Sequence, residues 1–287
     1  MPTLAIATAT DNDPVDALIK SIRIPPRPSL LLDLQKELAK PEPSTRKIAR
    51  IISTDVGMSG ALLKLANSPF YGLRRKATSI EQAIAVLGMN QCIALMTGFL
   101  AKQALDKDGL GKLDSFWDES AQRAKAMVYL AYKMRVCPPD IAHTFGLFCN
   151  IGVPLLMGRF PDYGETYALA AVSADRFTAV EDARHTTNHA AIGCLLARNW
   201  GLSEDVSWAI LLHHDHAVID DKATAEGVRT LVSLSLLAEN AMYVYKGHAE
   251  AAEWTKGGER ARRHLGLTSE EVQEFVEKLQ EMFESDH

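Results

Sequence analysis

Apolar side chains recur at three- and four-residue spacing along nearly the whole chain, and no long alternating run of Val, Ile and Thr breaks the pattern. A helix repeats its faces every 3.6 residues and a strand every two, so this chain can bury a continuous apolar stripe only as helices. The fold class is therefore all-α. Punctuation points the same way. Thr78 with Glu81, and Thr268 with Glu271, match the capping box, in which a hydroxyl and a carboxylate satisfy first-turn amides. "RIPPRP" is an extended stop, because proline fixes its own φ and restricts the residue before it. The spacing predicts helices over Ser29–Ala39, Ser44–Ser53 and Val56–Ala66, then one long helix from Ser79 to about Leu105 that "DKDGLGK" ends. A helix opening at Ser115 and the apolar stretch "PPDIAHTFGLFCNIGVPLLM" follow. Further helices are expected near Pro161–Ala171, Arg176–His185, Thr187–Trp200, Ser203–His213, Ala223–Tyr245 and Thr268–Glu284, the last two joined by the charged segment "KGGERARRHLG".

A chain of 287 residues buries enough surface to need no staples. Its formal net charge of -5 supplies no general pull toward nucleic acid or anionic lipid, although Arg74, Arg75 and Lys76 with Arg260, Arg262 and Arg263 are the basic residues an adaptor would use. Cys92, Cys137, Cys149 and Cys194 lie far apart with no C-x-x-C pair, which fits buried thiols in a reducing compartment. The N-terminal 13 residues read as a loose tail without a signal-peptide pattern, and no apolar stretch is expected to approach the 18 or so residues of a bilayer span. Cytoplasmic location is the expectation. No G-x-x-x-x-G-K-[ST] or G-x-G-x-x-G cradle and no G-x-S-x-G elbow occurs, so neither a nucleotide cofactor nor a serine nucleophile is expected.

One short window stands apart. "LLHHDHAVID", Leu211 to Asp220, gathers three histidines beside acids, the residue types that hold zinc, iron or manganese. On a continuing helix His213 and His214 would point about 100° apart, so both can serve one ion only if the helix ends there. A second window, "HTTNH", spaces His185 and His189 at i and i+4, which on one helix places both rings on one face. Thr186 stands where a metalloprotease would carry its general base, so that chemistry is set aside.

The order of segments resembles a known family. "LLLDLQKELAKPEPSTRKIARIISTDVGMSGALLKLANSPFYGLRRKATSIEQAIAVLGMNQC", then "FWDESAQRA", "FGLFCNIGVPLL" and "NHAAIGCLLARNWGLSEDVSWAILLHH", are similar in sequence and order to the HD-related output domain, HDOD. The likeness spans about residues 22–216. It implies a domain over 14–287 with two helical lobes, about 22–110 and 115–287, the second like the HD phosphohydrolases.

In the catalytic relatives of that lobe, a His, an adjacent His-Asp pair and a later Asp hold the metal that activates water. The resemblance places Glu119, Cys149, Asn150 and Leu236 at those positions. It also implies that His189, His213 and His214 fall where two-metal phosphodiesterases of the HD-GYP type carry ligands. The degenerate pocket expected is thus Glu119, Cys149, Asn150, His189, His213 and His214, with no catalytic residue and no metal. Its alternative is a residual metal set of Glu119, Cys149, His189, His213 and His214. The implied function is bacterial signal transduction without catalysis: a pseudoenzyme that binds signalling proteins, cyclic-dinucleotide or two-component members among them, or a small ligand. The alternative is a divergent metal-dependent phosphohydrolase or phosphodiesterase. Asn67, Phe70, Tyr71, Arg74 and Arg75 are the expected partner surface, with the aromatics as anchors.

Overall fold

Residues 21–68, 75–107 and 113–285 are described in a computed structural model. Among them helices are the regular structure and no strand occurs, as the apolar period requires. The chain divides into two compact units. Among the described residues, those within Pro26–Gly109 form one, and 21–25 join 113–285 in the other.

The smaller unit packs α1 (Ser29–Leu38), α2 (Thr45–Ile52), α3 (Val56–Ala66), α4 (Ile80–Leu87) and α5 (Met89–Lys107) around buried Leu31, Leu34, Ile48, Ile52, Met58 and Leu62. Its starts are set by side chains: Ser44 accepts the Lys47 amide at 3.4 Å, and Asp55 accepts the Met58 amide at 2.8 Å. The single long helix expected from Ser79 is in fact two. Gly88 adopts φ 81, a conformation open to glycine, and α4 and α5 meet there at a bend of 113°. The cap also sits one residue later than the capping-box reading. Ser79 accepts from the Gln82 amide while Gln82 Oε1 accepts from the Thr78 amide, so Thr78 and Glu81 are not the pair. Thr268 and Glu271 do exchange the reciprocal bonds of a capping box.

The larger unit is built on α6 (Asp114–Met134), α7 (Pro139–Phe148), α8 (Gly152–Arg159), α9 (Tyr163–Val172), α10 (Phe177–His185), α11 (His189–Asn199), α12 (Glu204–Leu212), a 3-10 turn (His216–Ile219), α13 (Glu226–Tyr245), α14 (Ala252–Leu265) and α15 (Ser269–Ser285). α13 is the spine. It packs on α6, α12, α14 and α15, and Leu231, Val232, Leu234, Leu237, Ala238 and Ala241 are buried along it. The segment "KGGERARRHLG", expected as a joining stretch, lies largely within α14, whose Gly257 and Gly258 are buried. Close packing explains the glycines: a Cβ on Gly257 would stand 2.6 Å from the His216 ring.

Residues 22–25, which sequence reasoning assigned to the first lobe, belong to the second. The Pro25 carbonyl accepts from the buried Trp200 indole N–H at 2.9 Å, and Ile22 is buried. One apolar stretch also exceeds expectation. Pro139–Arg159 reaches the length and mean hydropathy, 1.5, of a membrane span, yet it is broken between α7 and α8 and 72% of its apolar window is buried, as in a core helix.

Candidate functional site

Three helix ends build the site. α10 stops at His185, where Thr186 takes φ 55, and Asn188 then caps α11 by accepting the Ala191 amide at 2.8 Å. His189 is thus the first residue of a new helix. His185 and His189 do not share a helix face as the i, i+4 reading would have it; His185 turns to the Thr166 hydroxyl at 2.8 Å and packs against the Phe160 ring at a tilt. α12 ends at Leu212, which releases His213 and His214 from the 100° separation of a continuing helix. Both rings meet His189. Its Nε2 lies 3.2 Å from His213 Nε2 and 3.2 Å from His214 Nε2. The three side chains offer nitrogens that all lie within 4.8 Å of one another.

Each ring is held from behind. His189 Nδ1 lies 2.8 Å from Glu181 Oε2, and Glu181 in turn accepts the Tyr163 hydroxyl. His213 Nδ1 lies 2.7 Å from the Ile210 carbonyl, and His214 Nδ1 lies 2.6 Å from Glu253 Oε2. Lys256 at 2.9 Å and His216 Nε2 at 3.2 Å complete the surroundings of Glu253. A carbonyl and two carboxylates can only accept, so each Nδ1 carries a proton and each ring turns its Nε2 toward the shared centre.

The electrostatics agree. Burial pushes His213 well below its ordinary value, and its two histidine neighbours add to the shift. Burial likewise lowers His214 to about 4 against the pull of Glu253. Burial would raise Glu181 and Glu253, but His189 and the Tyr163 hydroxyl outweigh it at the first, and His214, His216 and Lys256 at the second; both stay below the usual carboxylate range. His213 and His214 are thus neutral and the carboxylates behind the cluster ionised, in a buried setting, with residue exposures of 0, 6 and 8% for His189, His213 and His214. A close backbone approach fixes the arrangement: a Cβ on Gly152 would lie 2.0 Å from the His189 carbonyl oxygen.

The remaining positions of the expected pocket do not join this cluster. Glu119 is half exposed and pairs with Lys246. Cys149 is buried and donates to the Gly146 carbonyl, Asn150 is half-buried, and Leu236 is buried on α13. The five-member set of Glu119, Cys149, His189, His213 and His214 therefore resolves into three converging histidines and two residues elsewhere. Sequence reasoning missed Arg123, one helical turn beyond Glu119 on α6. Its guanidinium is buried; burial would lower its pKa, but Cys149, Glu239, Tyr167 and Glu119 around it hold the charge in place. It also missed Glu181 and Glu253, which touch the histidines from 8 and 39 residues away.

Of the expected partner surface, Phe70, Tyr71 and Arg74 lie outside the described residues, and Arg75 is exposed. Asn67 has a structural task instead. Its amide donates to the Ala77 carbonyl at 2.9 Å and accepts the Ala77 amide at 2.7 Å, pinning the end of α3 to the approach of α4.

A family profile for the HDOD domain matches residues 24–216. The chain belongs to the HDOD domain family. An uncharacterised protein of Treponema pallidum (strain Nichols) is 26% identical over 200 residues, 67% of this chain, and the match spans only 38% of that relative's length. Among solved structures, an HDOD domain protein of unknown function from Geobacter sulfurreducens superposes with a TM-score of 0.68 at 20% identity, covering 94% of this chain and 96% of that one. A candidate phosphohydrolase from Shewanella amazonensis SB2B gives 0.68 at 21% identity, covering 93% and 94%. A candidate signal transduction protein from Marinobacter aquaeolei VT8 gives 0.67 at 20% identity, covering 92% and 61%. At such identities the likeness concerns the HDOD fold, and it is all-α here as there.

Proposed function

We propose that this HDOD chain is a cytoplasmic signalling module that acts by binding, to a regulatory protein or a small ligand, and not by hydrolysing a phosphoester. The observation that carries the reading is the buried Arg123 guanidinium. It lies among Cys149, Glu239 and Tyr167, in the half of the lobe where the resemblance to HD phosphohydrolases would seat a metal ion. A fixed cation among few acidic donors repels a divalent ion by several kcal/mol at short range, even with an effective dielectric constant of about 20. Water activation needs a held metal and an ordered set of ligands, and here a thiol, an amide and an aliphatic side chain replace them. The signal-transduction description of the Marinobacter relative supports the same reading.

A second reading, a divergent metal-dependent phosphohydrolase, is favoured by one observation, the convergence of His189, His213 and His214. One assay separates the two. The full chain, purified without chelator, is incubated with cyclic dinucleotides and a simple phosphomonoester, with manganese or iron added. No turnover above the blank is expected, and capture from the native host should then recover a signalling protein. Turnover that His189→Ala abolishes would make the chain an enzyme.

A further inference from the structure

The three inward-facing Nε2 atoms pose a problem that the protein alone leaves unsolved. All three Nδ1 atoms face acceptors, at 2.8, 2.7 and 2.6 Å, so the three Nε2 atoms are turned on one another. Ring nitrogens 3.2 Å apart, twice over, in a buried site call for something positive between them, a proton or a metal ion. The spacing indicates what. Nitrogens bound tetrahedrally to one ion at about 2.0–2.1 Å stand about 3.3 Å apart, close to the separation seen here. Imidazoles with Nδ1–H donated to a carboxylate or carbonyl form the arrangement in which outer partners orient histidines toward a metal.

We propose that His189, His213 and His214 form a mononuclear site for one divalent transition-metal ion of the zinc, cobalt or nickel class. Three imidazoles select such ions over magnesium and calcium, which prefer oxygen donors. The ion would tie the start of α11 to the end of α12. Through Glu181 and Glu253 it would also brace α10 and α14, so that four helices depend on one bound cation. Arg123 interacts with Cys149, one of the positions where the resemblance would seat metal ligands, so the site takes one equivalent and not two. The proposal is independent of the binding-module reading: an ion that only braces helices and an ion that turns over substrate would load alike, and the phosphoester assay above separates them.

The test uses the full chain, stripped of metal with chelator and dialysed. Zinc and cobalt are titrated by calorimetry, and the cobalt complex is followed by its visible absorption. The expected result is one equivalent of either ion, ligand-field bands of a nitrogen-bound tetrahedral or five-coordinate cobalt ion, and a rise in Tm on loading. His213→Ala and, separately, His214→Gln should each weaken binding at least 100-fold. The wild-type titration needs no variant to fold, so a folding failure in one leaves it decisive. Absence of uptake by the stripped wild-type chain would overturn the proposal, and so would two equivalents, or undiminished binding in both variants.

Discussion

Two neighbourhoods of the larger unit began from similar prospects and end in opposite chemistry. Around His189, three imidazole rings converge and each is oriented by an acceptor behind it. Around Cys149 the fold installs a positive charge of its own, with the Arg123 guanidinium buried beside a thiol that burial pushes upward. Glu239 feels both: burial raises its pKa, Arg123 pulls it down, and His216 and His189 also act on it. A cation is supplied covalently on one side and solicited from solution on the other. The difference teaches that buried acceptors leave an electrostatic demand to be met, and that a protein can meet it with a side chain.

The largest effect expected on this comparison is steric. Gly152→Ala drives a methyl group onto the His189 carbonyl, a backbone atom that cannot rotate away. Overpacking of this kind costs about 3 kcal/mol or more, read as a lower denaturation midpoint together with lost metal uptake. Stability within experimental error of wild type would show that the His189 end of α11 is looser than described. Next comes Arg123→Ala, which leaves Glu239 facing Cys149 without its counter-charge and opens a void. A loss of about 3 kcal/mol is expected in chemical denaturation, with uptake at the histidines retained. If that variant lost zinc uptake while still folded, the two neighbourhoods would be one site. Tyr163→Phe is milder. It removes one hydroxyl donor to Glu181, worth about 1–2 kcal/mol in a buried charge-assisted bond, and it should lower Tm slightly while leaving one equivalent of metal bound. A complete loss of binding would mean that Glu181 is held by Tyr163 alone.

Much of this architecture is legible in the residues. The apolar period dictates helices, and Val56–Ala66 has the bounds its spacing predicts. What escaped was decided by backbone geometry at single points. Gly88 breaks one periodic stretch into α4 and α5, because periodicity continues through a bend that only φ reveals. The break at Thr186, by contrast, falls between the helices Arg176–His185 and Thr187–Trp200 that the spacing predicts. The site was half legible. Its three histidines stood out as metal-ligand types, whereas Glu181, Glu253 and the Ile210 carbonyl carry no local pattern that joins them to distant rings. Arg123 was hidden by its type, since an arginine in an amphipathic helix ordinarily faces water.

X-ray absorption at the zinc edge of the loaded full chain tests the central claim most directly. The account predicts three imidazole nitrogens at about 2.0–2.1 Å, with any remaining position filled by a light atom, and no metal scatterer nearby. A metal–metal vector at about 3.5–4 Å, the separation of two-metal hydrolytic sites, would contradict it.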